Sequence, residues 1–398
     1  MFLSFLTNFL KGKIKINFKK PNHTDILIFD DVSFEDLYYL LEKKNYCVIP
    51  TRINRISEIF ITPNIFINFI KLIFLNKRVQ GIFLNSYLIS LIQLINPKII
   101  ISHIDNSIKY SDVSFFLKDK FKFLTVQNAS RYDQLINELN FKKKFNFGIK
   151  NYKLFIQNFL CFGRYEKEIY KRLNYNVENF EIVGSLRKAN FFRYLKRQQK
   201  NLKPNFYKLG VLLEIPLATP GLVPDVKDEI YSFVMPLKYS IKYSKESNIK
   251  PIFICKSKNI DTQLTYYSDY LNLDEKNFIK ENLWERKNNE FSSYEGTFQS
   301  HVLVGMASTL LREKISSKEK ILSCNYSKAS FWDFPINGIC NLKEDGYDNF
   351  KIRLDKIFSL SSEDYINQLD QNYRYVCDQG NNDETLNKID DIIMKFAK

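Results

Sequence analysis

Short apolar runs alternate with longer amphipathic segments along this chain. Residues 25–30 (Asp-Ile-Leu-Ile-Phe-Asp) read as a buried strand that ends in acid, and 34–44 carries helical spacing. Further strands are predicted at 46–50, 81–84, 98–102, 121–127, 159–162 and 180–184. Residues 192–206 are polar and basic, contain Pro204, and read as a linker. A second series follows: strands at 209–213, 251–255, 302–304 and 320–324, with a long helix over 225–247. An amphipathic helix is predicted over 384–398. Near-continuous apolar strands separated by helices imply parallel sheets covered on both faces.

At 398 residues the chain exceeds what one core usually holds. The expected fold class is therefore α/β, with two Rossmann-like domains whose parallel sheets face a central cleft. Residues 1–195 would form the first domain, 205–383 the second, and 384–398 a C-terminal helix. Ligands in such folds bind beyond the carboxyl ends of the strands.

Hydrophobic residues make up 45% and aromatics 15%, which is enough for two packed cores and excludes a disordered chain. The net charge of +15 is scattered, with local runs at 11–20, 141–145 and 193–200. These runs match no nucleic-acid module, so no nucleic-acid partner is expected. An attraction to anionic membrane surfaces or phosphate-rich substrates fits better. Six cysteines lie singly, without a C-x-x-C pair, and read as core thiols of a reducing compartment. Only three histidines occur, far apart, so a His-rich metal site is not expected. The apolar residues 1–10 lack the marks of a signal peptide. They read either as a first helix packed on the fold or as an interfacial helix followed by basic residues. No run reaches the length of a membrane span; 66–75 contains Lys71 and stops at Asn76-Lys77-Arg78. The expected location is the cytoplasm, with peripheral contact at the inner face of the membrane as an added option.

The most informative stretch is 302–313, Val-Leu-Val-Gly-Met-Ala-Ser-Thr-Leu-Leu-Arg-Glu. It reads as a strand, a turn carrying Gly305, and a helix opening at Ser308 or Thr309. A helix N-terminus offers unpaired N–H groups and partial positive charge to a phosphate. Glu313, one turn beyond Thr309, is placed to accept ribose hydroxyls. Ordinary capping by Ser308 and Thr309 is the plain alternative. Lys256 follows the strand ending at Cys255 and is suited to a diphosphate, or is a solvated loop lysine. In the first half, the strand at 98–102 delivers His103, Asp105 and Asn106 to the sheet edge; either His103 or Asp105 is a candidate base. Turn chemistry is the alternative for Asp105-Asn106. The next strand ends at Gln127, Asn128 and Arg131, suited to sugar hydroxyls or a carboxylate. Ser185 and Arg187 follow in another strand-to-helix turn, and 163–166 (Gly-Arg-Tyr-Glu) makes a similar one. No Asp-x-Asp metal motif sits in a suitable turn; Asp30-Asp31 reads as a strand end and helix start.

The order of these pieces carries a resemblance. Ile-Asp-Asn near 105, Val-Gln-Asn near 127, Cys-Phe-Gly near 162, Val-Gly-Ser-Leu-Arg near 185, Ser-Thr-Leu-Leu-Arg-Glu at 308–313 and Phe-Trp-Asp-Phe-Pro at 331–335 recur here. Over about 25–370 the chain resembles the bacterial surface carbohydrate biosynthesis proteins, which are similar to glycosyltransferases of the two-domain GT-B type. The resemblance implies that Ser308, Thr309 and Glu313 hold a nucleotide donor. It also implies that Asp105, Gln127 and Asn128 face the acceptor or the transferred sugar. Ala129 stands where that family often has glycine.

The function expected is a metal-independent glycosyltransferase. It would use a nucleotide-sugar as co-substrate, without a cofactor, on a glycan or lipid-linked glycan acceptor. Nucleotide-sugar epimerisation, phosphopolyol transfer and a non-catalytic role in glycan assembly are the alternatives.

Overall fold

The computed structural model describes residues 14–32, 34–52, 55–75, 82–131, 153–172, 175–203, 205–214, 226–255, 259–284, 290–327, 329–380 and 382–397. The apolar segment 1–10 and Lys256 lie outside the described residues.

The first half opens with β1 (Lys15–Asn17), β2 (Ile26–Phe29), β3 (Tyr46–Ile49) and β4 (Glu58–Phe60). It continues with β5 (Ile99–Ser102), β6 (Lys122–Val126), β7 (Leu154–Cys161) and β8 (Tyr175–Ile182). Strands β1 and β4 pair with each other. The other six form one sheet in the order β3-β2-β5-β6-β7-β8, parallel throughout. Every residue of β2, β5 and β7 is buried, because helices cover both faces.

The second half carries β9 (Tyr207–Leu213), β10 (Pro251–Cys255), β11 (Leu283–Trp284), β12 (Ser300–Gly305), β13 (Lys320–Cys324) and β14 (Asn341–Leu342). They form a second parallel sheet, ordered β11-β10-β9-β12-β13-β14. The long helix Val226–Glu246 packs Phe233, Val234, Leu237 and Ile241 into its core.

The helix Asn382–Ala397 returns to the first half. Its Leu386, Ile389 and Ile393 join Ile26, Ile28, Ile99, Ile101 and Leu186 in one apolar cluster. The first sheet is therefore completed by the far end of the described chain.

Two expectations need correction. In the run at 81–84, of which residues 82–84 are described, those residues form no strand: they open the helix Ile82–Ile95, packed against Pro63–Leu75. A four-residue apolar run does not separate strand from buried helix. The expected linker at 192–206 is helical in its first part. The helix Leu186–Arg197 buries Leu186, Lys188, Ala189, Phe191 and Leu195 and turns Lys196 and Arg197 outward. Its basic face gave the segment its linker-like composition.

Candidate functional site

The carboxyl edges of the two sheets meet through side chains from their strand-end turns. In the first half, β5 delivers His103 and Asp105, both 3% exposed. Asp105 accepts from Arg131 Nη2 at 2.6 Å and Nε at 2.8 Å, and from the Tyr170 hydroxyl at 2.5 Å. The Asn128 N–H adds a longer contact at 3.4 Å. These donors use the carboxylate fully, so Asp105 pins the 127–131 turn and has no face open to an incoming hydroxyl. Asn106 is exposed beside Ser107, which caps the helix Ile108–Leu117.

Gln127 is buried. It donates to Ala129 O and accepts from the Phe162 N–H at 2.8 Å, bracing β6 against β7. Asn128 accepts from Arg131 Nη2 at 2.8 Å. Ala129 is not among the positive-φ residues, so this turn does without glycine. Gly184 does take a left-handed φ of 86°, and a Cβ there would lie 2.9 Å from Thr385 Oγ1. It leads to Ser185, fully buried, which caps Leu186–Arg197 by accepting from the Lys188 N–H.

In the second half, β12 ends at Gly305 and Ser308 caps the helix Thr309–Ile315. The N–H groups of Met306 and Ala307 donate to the Glu214 carboxylate, which follows β9. These two N–H groups, in the turn just ahead of the helix, thus hold an internal anion. A third, the Leu310 N–H, donates to Ser308 Oγ.

Side-chain contacts join the halves at this point. The Ser130 N–H donates to Thr309 Oγ1 at 3.0 Å. Arg312 Nη1 lies 2.5 Å from Glu166 Oε1, with both side chains 1% exposed or less. The Ser185 hydroxyl donates to Glu313 Oε1. Lys188 Nζ donates to Ser316 Oγ at 2.8 Å. Glu313 also accepts from the Tyr294 hydroxyl at 2.9 Å and is itself buried, while its Oε2 has no hydrogen-bond partner among the described residues. It sits in the seam between the halves and not on an open wall.

Electrostatics follow from this burial. Burial pushes the Glu166 carboxyl up to about 7, against the opposing pull of Arg312. Burial also raises Glu313, partly offset by Ser185, Tyr294, Lys188 and Arg187. For Asp36, burial acts upward, but His103 and Arg187 outweigh it and hold the carboxyl below its usual range. His103 Nδ1 lies 3.3 Å from Asp36 Oδ2, and Arg187 Nε lies 3.7 Å from Asp36 Oδ1. Neither ring nitrogen of His103 makes a hydrogen bond of good geometry among the described residues. An imidazole set beside a carboxylate, with a nitrogen uncommitted, is an arrangement for moving a proton.

Two cavities flank the seam. One, of about 420 Å3, is lined by Phe34, Glu35, Tyr38, Tyr39, Tyr194, Glu290 and Phe291. The other, of about 300 Å3, lies between Tyr165 and Arg172 of the first half and Phe331, Asp333 and Lys343 of the second. Among the described residues no group of three or more His, Cys, Asp or Glu side chains could hold a metal ion.

Along the seam, one cluster holds Asp105, Gln127, Asn128 and Arg131 with Thr309 across from them. A second cluster holds His103, Ser185 and Arg187 with Glu313 across from them. Asp36, Tyr170 and Tyr294 were not among the candidate site residues. Glu166 closes the turn at 163–166, which the sequence does mark, and Glu214 follows a predicted strand. Asp36 and Tyr294 lie inside helices and carry no local signal.

No protein-family model matches this chain, and no curated protein matches it in sequence. Solved structures do match. A histidine variant of the wall teichoic acid polymerase TagF aligns with a TM-score of 0.51 at 15% identity, covering 100% of this chain and 96% of that one. A second TagF variant gives 0.50 at 14% identity with the same coverage. The UDP-GlcNAc 2-epimerase of Methanocaldococcus jannaschii, in complex with UDP-GlcNAc and UDP, aligns at 0.49 and 11% identity, over 96% of this chain and 100% of its own. The fold is thus of the GT-B type, with two opposed parallel α/β sheets.

Proposed function

We propose that this protein is a glycosyltransferase of surface polysaccharide synthesis, using a nucleotide-activated sugar and a glycan acceptor. One observation carries the reading. Strand-end turns of two parallel sheets meet edge to edge, and the residues that meet are Ser130, Glu166 and Ser185 against Thr309, Arg312 and Glu313. That is where a two-sheet fold binds and transfers.

In this reading the donor lies against the 305–309 turn, with Ser308 and Thr309 at its phosphates and Lys256 as a further cation. Glu214 gives up the Met306 and Ala307 N–H groups when the donor arrives. Glu313, with Oε2 still uncommitted, takes the ribose once the seam opens. The acceptor enters from the first half, near Asn106, Asn128 and Arg131. His103, oriented by Asp36, is the better base, since Asp105 is saturated by Arg131 and Tyr170. Arg187, with its side chain 42% exposed, offsets leaving-group charge. No metal or cofactor is assigned a role.

A second reading is phosphopolyol transfer, favoured by the likeness in fold to a wall teichoic acid polymerase. Calorimetric titration with CMP, CDP, UDP and GDP tests both. Tight binding of one nucleotide, weakened by Thr309→Ala and by the near-isosteric Glu313→Gln, supports a donor site. Preference for CDP over UDP and GDP favours the second reading. No binding by any of them, with the fold intact, removes the donor site. His103→Gln should then lower turnover sharply while leaving nucleotide affinity unchanged.

A further inference from the structure

The helix Pro63–Leu75 turns an apolar face away from the protein. Ile65 and Leu72 point into the core of the first half, while Phe66 (60% exposed), Ile67 (63%) and Ile70 point outward. Phe83, at the start of Ile82–Ile95, is 66% exposed and lies against Phe69 with ring centroids 6.3 Å apart. At the N-terminal end of the same helix, Ile61 is exposed, and its N–H donates to Asn17 O at 2.7 Å. That bond sets Phe18, also exposed, beside it. Large apolar side chains gathered on one surface mark a contact site.

Charge decides what the contact is with. The exposed cations bordering these residues are Lys15, Lys19, Lys20 and Lys71. From Ile59 to Ile104 the sequence contains no Asp or Glu. Glu58, the acid that immediately precedes this span, is engaged by Asn17 and Lys15. An isologous contact with a second copy would set this basic border against itself. A surface with apolar depth and negative charge satisfies both the rings and the lysines. The Pro63–Leu75 helix spans roughly 20 Å at 1.5 Å per residue, too short to cross a bilayer and long enough to lie in its surface. No helix of the described residues is long and apolar enough to span a membrane.

We infer that the outward face of Pro63–Leu75, with Phe83, Ile61 and Phe18, is a docking surface for an anionic lipid bilayer, into whose interface Phe66, Ile67 and Phe83 insert. It holds the protein at the membrane surface peripherally. The inference does not depend on the transferase reading, because bilayer binding is measured without substrate or turnover.

The test is co-sedimentation of the full chain with vesicles of phosphatidylcholine alone and of phosphatidylcholine with phosphatidylglycerol. The wild type should bind the anionic vesicles and lose them as salt is raised. Phe66→Ser with Ile67→Ser should weaken binding about tenfold or more, and Lys71→Glu with Lys20→Glu should weaken it at low salt only. All four positions are exposed, so circular dichroism should be unchanged. Equal binding of wild type and F66S/I67S would overturn the inference, since attachment would then reside elsewhere in the chain. Absence of wild-type binding would also overturn it. So would a dimer in light scattering that the same pair of substitutions dissolves, which would assign the face to a second copy.

Discussion

Replacing Arg312 by Met tests the seam between the halves directly. Arg312 and Glu166 are ion-paired at 2.5 Å with almost no exposure, and Arg312 also lies over the Tyr165 ring. Met preserves most of the aliphatic packing and removes the charge. Breaking one side of a buried pair strands the other charge, at a cost of about 3–5 kcal/mol. The pH dependence identifies the cause. Glu166 has a folded pKa of about 7, above its unfolded value, so its contribution is most favourable below the unfolded pKa and is lost as pH rises through the folded one. Without Arg312 the folded pKa moves higher still. At about 1.4 kcal/mol per pH unit, the variant loses roughly 3 kcal/mol between about pH 5.5 and 8, where the wild type loses roughly 2. The Arg312→Met penalty should therefore be smaller at pH 5.5 by about 1 kcal/mol. Urea unfolding of wild type, Arg312→Met, Glu166→Gln and the double variant at both pH values is the assay. The double variant should recover much of the loss. A penalty as large at pH 5.5 as at pH 8, with no recovery in the double variant, would refute the buried-charge account.

Asp105→Asn should destabilise by about 3 kcal/mol, because Arg131 loses its paired charge, whereas Tyr170→Phe should cost only about 1–2 kcal/mol; thermal melts separate the two. Gly338 has φ of 88°, and a Cβ there would sit 2.3 Å from Gln368 O, so Gly338→Ala should cost about 2–4 kcal/mol in the same assay. Burial, with Lys320, Lys208 and Lys314 nearby, lowers His301 to about 4. A histidine kept neutral by the fold loses stability as pH falls from its unfolded pKa toward 4. Its ring is only partly buried, so solvent screening discounts that loss to roughly 1–2 kcal/mol, and His301→Gln should flatten the acid limb of an unfolding profile.

The strands of both sheets were legible where apolar runs were short and bounded, as at β2, β5, β6, β10 and β13. The run at 82–84 misled because Ile82–Ile95 is apolar on nearly all sides: one face is packed, and Phe83 stands outside. For the site, the sequence marks turns at strand ends but not what each turn touches. Ser185 and Glu313 are 128 residues apart, and nothing local in either announces that one donates to the other. Asp105 shows the same limit. Its Asp-Asn turn suggested an open base, whereas Tyr170, 65 residues on, closes over it. Glu214 was visible as a strand-end acid, but its hold on the Met306 and Ala307 N–H groups depends on β9 lying beside β12.

The return of Asn382–Ala397 to the first sheet has a consequence for the order in which the protein becomes whole. Leu386, Ile389 and Ile393 are synthesised after the entire second sheet, yet they cover Ile26, Ile28 and Ile99 of the first. Chains are made from the N-terminus, and domains otherwise fold as they emerge. Here the half made first waits longest for its cover. The second sheet has all its strands in hand while apolar residues of β2 and β5 are still bare. Cutting the chain at the crossing near 203 would not yield two self-sufficient pieces, because the first would lack a wall that only the second can bring.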